Sequence, residues 1–347
     1  MQRNLRYSIS FFPALLVISG NLLGNYYTLL NPIFVLGFLA FIEWFLPNNE
    51  NNNDTGSETL PNIWLGLTVI VQLSTLGSLF YGIQQEILHG YWLSWAIIGT
   101  GLNSGALAIV SAHEMIHRND KRWVWLGNLQ LFTVLNAYFY IDHLRVHHRY
   151  LGTNSDHATA RYGEHFYHFL VRSILGQFKA ALRISANEAS KKRKAAYGWH
   201  NFVVRSTLGH LLLLGLLYQL NPLLGLAWLA QALLANVLLE YTNYIEHYGL
   251  SRAENERVHP GLSWQSDRFF SRFLLYDLSR HADHHMYGGR PYHLLKHQEN
   301  SPELPGGYAS MIFPALLPPL WFAIVHPRLK KWAQKSTHAI DLTGGSE

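Results

Sequence analysis

The sequence of 347 residues contains no cysteine. That excludes disulfides, thiolate-bound zinc, iron–sulfur clusters, thiolate-ligated haem and cysteine nucleophiles from this chain. Charge is also scarce: 14% of residues are Asp, Glu, Lys or Arg, against about a quarter in soluble domains. The shortage points to a bilayer, yet the mean hydropathy of +0.01 is too low for a chain lying wholly in lipid. A membrane part and a polar part must coexist. No repeat of fixed period occurs, which sets aside solenoids and propellers. Histidine, by contrast, is in excess at 20 residues, and imidazole is the commonest protein ligand for metals such as iron, zinc and copper.

Six apolar stretches have spanning length, roughly 17–22 residues each. They cover residues 7–23, 30–46, 63–83, 92–112, 203–220 and 223–239. The first follows Arg3 and Arg6 as a signal peptide would, but no small-residue cleavage site follows, so it reads as a retained anchor. Stretches 123–141 and 308–325 are long enough to cross but carry Asn128, Gln130 and Asn136, or Pro314, Pro318 and Pro319. With six spans and an inner N-terminus, the outer loops 24–29, 84–91 and 221–222 hold no Lys or Arg. All 27 basic residues then lie inside or, for Arg205, at an inner span end. A crossing at 308–325 would export Arg328, Lys330, Lys331 and Lys335. Both stretches are therefore expected at the interface or against the inner domain, and every histidine except His89 on the inner side.

The expected architecture is an all-α integral membrane protein with six transmembrane helices and a histidine-rich cytoplasmic helical domain. Residues 1–112 form four transmembrane helices, 113–202 a cytoplasmic histidine-box region, and 203–244 two more transmembrane helices. Residues 245–347 form a second cytoplasmic histidine-box and C-terminal region, all four segments working as one functional unit. The asparagine-rich loop 47–61, with Glu50, Asp54 and Glu58, is expected to be inside and mobile.

Four histidine clusters lie at inner span ends or just beyond them. His113-Glu114-Met115-Ile116-His117 closes the fourth span, and its i, i+4 spacing puts both imidazoles on one helix face. His143-Leu144-Arg145-Val146-His147-His148 repeats the pair and adds a neighbour. His247 stands alone within Asn243-Tyr244-Ile245-Glu246-His247-Tyr248-Gly249-Leu250. His281-Ala282-Asp283-His284-His285 combines i, i+3 and i+4 spacing. The topology puts all four on one side; a crossing at 123–141 would separate the first two. The first cluster alone is also a zinc-protease signature, with Glu114 as base, but that leaves the other clusters idle. A metal transporter would carry its ionisable groups along the spans rather than at their edge. Nine imidazoles exceed one ion, and two ions of four to five ligands each account for them. Neutral nitrogen sets suit redox-active iron, with copper, manganese and zinc left open.

At these residues the chain resembles the membrane-bound alkane 1-monooxygenases, within the wider integral-membrane fatty-acid desaturase and hydroxylase group. The similarity runs from His113 to about Lys331. The histidine boxes mark the wider group; residues 243–250 are more specific, being shared by alkane hydroxylases and xylene side-chain hydroxylases. Arg280 to His285, Leu304-Pro305-Gly306-Gly307-Tyr308 and Pro318-Pro319-Leu320-Trp321 look like the same family. The resemblance implies two non-haem iron ions, a di-iron centre, held by His113, His117, His143, His147, His148, His247, His281, His284 and His285. No haem, iron–sulfur cluster or nucleotide is expected in this chain. The implied reaction uses O₂ to hydroxylate the terminal methyl of medium-to-long-chain n-alkanes, giving primary alcohols. Its alternative is desaturation or hydroxylation of fatty acyl, aromatic methyl (xylene-like) or other lipid substrates at the same site. Lacking cysteine, the chain holds no fused rubredoxin, so a separate rubredoxin or ferredoxin with its reductase is implied. The other partners are O₂, the apolar alkane and membrane lipid, with no nucleic acid. The expected location is a bacterial inner (cytoplasmic) membrane, with the active site and both termini on the cytoplasmic side. Four positions depart from the family pattern: Asp142 replaces Glu, Val146 replaces Gly, Arg118 replaces Lys and His157 replaces Pro. They spare the ligand set and leave substrate range open.

Metal-bound histidines usually donate their second ring N–H to a carboxylate or carbonyl; Glu114, Asp142, Asp156, Glu246 and Asp283 are the candidates. An n-alkane has no hydrogen-bonding handle, so an apolar tunnel must select it by shape. Gly99, Gly101 and Gly105, with Ala106 and Ala108, could keep such a tunnel open above His113, although small residues in spans more often serve helix packing. His157, His165, His168, His293 and His297 lack the motif and are read as non-ligands. The basic run Lys191-Lys192-Arg193-Lys194 could steer an acidic electron donor or attract anionic lipid.

Overall fold

The computed structural model describes residues 2–52 and 57–335. Six helices among them are long and apolar enough to cross a bilayer: Asn4–Leu23, Asn25–Ile42, Thr59–Gln84, Gly90–Ile116, Phe202–Leu220 and Pro222–His247. Five of them cover the stretches expected from hydropathy; the second, expected at 30–46, instead begins at Asn25 and ends at Ile42. Helices satisfy their own backbone groups, which is why such segments can sit in lipid. The described residues form no sheet; Asn48 with Arg268 and Gln265 with Glu303 are isolated bridges.

Close packing of the spans depends on glycine. A Cβ on Gly101 would stand 2.9 Å from the Gln231 carbonyl oxygen of the sixth span, and one on Gly82 would stand 2.6 Å from the Asn21 carbonyl oxygen of the first. Polar side chains between spans pair with one another. Gln72 donates to Ser104 at 3.0 Å and to Thr133 at 3.1 Å, and Asn21 donates to Ser78 at 3.1 Å.

Stretch 123–141 departs from the interfacial placement. Asp120 caps a helix Lys121–Thr133 by accepting from the Arg122 N–H. The chain then reverses through Leu135, at φ +58°, and returns to the second histidine box. The tip of this hairpin penetrates the bundle, where the Thr133 carbonyl accepts from Trp228 and Gln231 of the sixth span. The polar residues that argued against a crossing bind the hairpin in place: Gln130 donates to Ser111 and Thr68, and Asn136 donates to Asn236. The proline-rich stretch breaks instead of running straight, with Ala309–Leu316 and Pro318–Lys335 meeting at a 115° bend.

Two further expectations change. His210 is not on the inner side but mid-way along the fifth span, its ring 4.3 Å from that of Phe132. Residues 47–52 are not loose: buried Arg272 and Arg280 donate to the carbonyls of Asn49 and Asn51. Each arginine is also held by a buried carboxylate, Arg272 by Asp277 at 2.6 Å and Arg280 by Asp267 at 2.8 Å. Asp54 lies outside the described residues.

Below the bundle, the long amphipathic helix Phe166–Lys191 packs on the end of the sixth span. Phe166, Phe169, Tyr244, Tyr248, Trp264 and Trp321 form a buried aromatic core there. It fixes the span end that carries Glu246 and His247.

Candidate metal centre

The structure brings the nine motif histidines together in two adjacent groups. His113, His117, His143, His148 and His284 form one; His147, His247, His281 and His285 form the other. Within each group one ligand atom per residue lies within 4.8 Å of all the others. The rings of His148 and His285, from different groups, have centroids 4.5 Å apart.

The backbone decides this partition. The helix widens into a π turn at His143–His147, so residues five apart lie on one side. His143 and His148 therefore meet, Nε2 to Nε2 at 3.0 Å, while His147 turns to the other group. The expected His143–His147 pair on a shared face is corrected accordingly. The short helix His281–Met286 also straddles the groups. His281 and His285 approach at 2.8 Å, and His284 reaches His148 at 3.0 Å.

The donor chemistry fits cations. His148 Nε2 lies 3.0 Å from two other Nε2 atoms, and His117 Nε2 lies 2.9 Å from that of His143. One ring nitrogen carries at most one proton, so these contacts cannot all be N–H···N bonds. Converging lone pairs of this kind suit a metal. The Nε2 atoms of His113, His147 and His247 are buried without a hydrogen-bond partner. Burial and neighbouring imidazoles hold His117, His143, His148, His281, His284 and His285 well below the ordinary histidine pKa, which keeps them neutral and able to ligate.

Groups behind the rings set two tautomers. His147 Nδ1 lies 2.9 Å from Asp156 Oδ2, and His247 Nδ1 lies 3.0 Å from the Leu262 carbonyl oxygen. A proton held at Nδ1 leaves Nε2 free to bind metal. Of the five candidate carboxylates, only Asp156 and Glu246 touch these histidines. Glu246 Oε2 lies 3.2 Å from His281 Nε2, and its Oε1 accepts from the Tyr308 hydroxyl at 2.7 Å. Glu114 pairs with Arg118 at 2.6 Å. Asp283 is buried but accepts from Arg290, Gln298 and the Lys296 N–H, tying down the segment after the last box. Asp142 is buried with Oδ1 unpaired; burial, with Asp156 and Glu240 nearby, pushes its carboxyl well up.

None of the five histidines read as non-ligands joins either group. His297 instead binds Asp267 at 2.7 Å. Sequence reasoning missed Tyr308 as a partner of Glu246, although Tyr308 sat in the family-like tail. It also missed Arg280 and Asp267, whose signal was an arginine immediately before the last box.

An apolar cavity of about 90 Å³ lies beside the centre, lined by Val35, Leu39, Leu102, Leu107, Leu238 and Ile312 among others. A smaller space of about 30 Å³ is lined by His113, His143, His281, Phe139 and Glu246. Gly105, Val110, Thr242 and Leu278 line both, which joins the cavity to the histidines. Gly105 and Ala106 thus face the cavity. Gly99 and Gly101 do not: Gly99 packs on Pro32 and Asn31, and Gly101 on Gln231 and Leu234. Their small size serves helix packing.

Residues 87–315 match the family model described as fatty acid desaturase. The chain is 34% identical to alkane 1-monooxygenase 1 of Pseudomonas aeruginosa over 315 residues, covering 86% of this chain and 82% of that protein. It is 37% identical to alkane 1-monooxygenase 2 of the same organism, over 86% of this chain and 83% of the relative. The xylene/toluene monooxygenase hydroxylase component of Pseudomonas putida is 27% identical over 81% of this chain and 79% of its own length.

Proposed function

The chain belongs to the fatty acid desaturase family and, within it, to the alkane 1-monooxygenases, and from that premise we propose that it hydroxylates terminal methyl groups of medium-to-long-chain n-alkanes. The reaction is R–CH₃ + O₂ + 2 e⁻ + 2 H⁺ → R–CH₂OH + H₂O. The observation that carries this reading is the junction between the apolar cavity and the two histidine groups. Two iron ions held by the nine histidines would supply O₂ activation. The chain's own residues bind, orient and exclude water. Val110, Leu278 and Gly105 guide an alkyl end towards His113 and His281. Asp156 and the Leu262 carbonyl keep His147 and His247 in the ligating tautomer. Residues 1–112, 113–202, 203–244 and 245–347 act as one unit.

Electrons come from a separate carrier, a rubredoxin or ferredoxin with its reductase. Of the nine histidines, only His117 and His148 are not fully buried. The backbone of Gly288 covers them: a Cβ there would stand 3.2 Å from His148 and 3.4 Å from His117. A carrier seated over Gly288, beside exposed Arg149 and Tyr287, comes closest to the centre. The run Lys191–Lys194 lies behind the second box, since Arg145 on the outer face of that helix pairs with Glu188 at 3.1 Å. The bias of Lys and Arg supports a cytoplasmic site in a bacterial inner membrane.

The test is metal analysis of purified protein, with product identification from octane-to-hexadecane alkanes under reduced rubredoxin. Two irons per chain and primary alcohols are expected. Fewer than two metal sites, or no terminal alcohol from any alkane, overturns the reading. The likeness to the xylene/toluene component favours including p-xylene in the panel, and benzylic alcohol with no alkanol would replace the alkane reading.

A further inference from the structure

We propose that Asn103, with Asn31 beside it, forms a polar subsite that takes the hydroxyl of a primary alkanol, so that the enzyme also converts medium-chain 1-alkanols to α,ω-diols. This rests on the hydroxylase reading above. Both asparagines line the apolar cavity, with 2% and 1% of their surface exposed. Neither the Nδ2 nor the Oδ1 of Asn103 has a hydrogen-bond partner in the protein. Asn31 Oδ1 is also unpaired, while its Nδ2 donates to the Pro13 carbonyl at 3.1 Å. Gln72 and Asn21, also buried in the spans, donate to protein partners, and Gln231, whose Oε1 is unpaired, still donates through its Nε2, whereas neither amide atom of Asn103 is paired. A buried amide that meets nothing is destabilising, and one facing an apolar cavity asks for a ligand that both donates and accepts. An n-alkane does neither, whereas a hydroxyl group does both.

The spacing suits a chain bound end to end. Asn103 and His113 lie ten residues apart on the helix Gly90–Ile116. The α-helical rise makes that at most about 15 Å along the axis, less because Ser104–Ile109 widen into π turns, a length that a zigzag of about a dozen carbons spans. With the hydroxyl at Asn103, the far methyl reaches the His113 end of the cavity. The step is HO–R–CH₃ + O₂ + 2 e⁻ + 2 H⁺ → HO–R–CH₂OH + H₂O, the electrons coming from the same carrier protein.

The experiment compares 1-dodecanol and dodecane as separate substrates of the iron-loaded enzyme. Wild type should release the diol from 1-dodecanol. Asn103→Leu should lower the ratio of kcat/KM for 1-dodecanol to that for dodecane about tenfold, the effect of one lost hydrogen bond, and Asn103→Ser should recover part of it. Without reductant, where no turnover occurs, 1-dodecanol should raise the Tm of wild type more than that of Asn103→Leu, and dodecane should raise both alike. An unchanged ratio, or parallel loss of both substrates, overturns the subsite, since the amide then binds water or serves the fold. Should Asn103→Leu not fold, wild type is compared with 1-methoxydodecane, which cannot donate. A KM equal to that of the alcohol overturns the proposal, and a higher one supports it. Alcohol from dodecane without diol from 1-dodecanol rejects only this inference. No product from either rejects the hydroxylase reading itself.

Discussion

Replacing Asp156 by Asn tests whether the four-histidine group is a metal site oriented from behind. Asp156 is buried, its Oδ2 accepting from Thr159 at 2.6 Å and facing His147 Nδ1 at 2.9 Å, while Oδ1 accepts from the Ala158 N–H at 3.0 Å. An asparagine of nearly equal volume keeps the Ala158 bond through its oxygen, so the loop should hold. Its Nδ2, however, now donates towards His147. A donor facing Nδ1 moves the ring proton to Nε2, the atom turned towards His247, His281 and His285. To ligate, His147 must give up that bond and lose a charge-assisted one, a cost of about 1.5–3 kcal/mol. That equals about 10–150-fold in affinity, in line with the 10–100-fold typical of partners that orient ligands. No member of the five-histidine group bonds to Asp156. The expected result, from metal analysis after dialysis against graded chelator, is loss of one ion at a chelator level that leaves the other bound. Retention of both ions at wild-type affinity, or their loss together, would refute the reasoning.

Gly101→Ala should lower Tm, because its Cβ would stand 2.9 Å from the Gln231 carbonyl and the Leu234 side chain, an overpacking cost of about 1–3 kcal/mol. Gly77→Ala, with nothing within 4 Å, should not; equal shifts would contradict the packing role. The hydrogen bond to Asp267 raises the His297 pKa, so its stabilisation is complete below about pH 6.5 and fades as pH rises through the higher folded value. Tm should therefore fall more steeply above that pH in wild type than in His297→Gln, and equal slopes would exclude this pair as a contributor. Arg149→Glu combined with Tyr287→Glu should weaken rubredoxin binding about tenfold and flatten its salt dependence, with metal content unchanged. Charge reversal of Lys191–Lys194 should have little effect, and the opposite ranking would move the docking site to that run.

Much of the site was legible because its signals are local. The His113–His117 pair meets as its i, i+4 spacing required, and both residues join one group. Each residue of 243–248 except Ile245 also has a polar role: Asn243 donates to Glu240, Tyr244 to the Glu164 carbonyl, and Tyr248 accepts from the Gly163 N–H. In the second box all three expected histidines join the metal groups, but the pairing of His143 with His147 does not hold, because its widened helical turn has no spacing signature and only packing against the other helices sets it. Glu114 and Asp283 sit among the ligands in sequence but point to Arg118 and Arg290, since adjacency says nothing about which face a side chain takes.

The sequence by itself determined the six spans, the common side of the four clusters and the count of nine histidines. Hydropathy runs and helical periodicity depend only on neighbours along the chain, so they survive whatever the fold does. Tertiary structure alone decided the five-and-four partition and the penetration of hairpin 121–141 into the bundle. It alone also decided the junction of the cavity with His113 and His281. Each of these depends on contacts between residues far apart in the chain, and a one-residue change in helical register would redraw them. The missing cysteine belongs to both levels: composition leaves this chain without an iron–sulfur centre of its own, and the fold leaves only His117 and His148 of the nine histidines part-exposed, which is where the proposed carrier would approach.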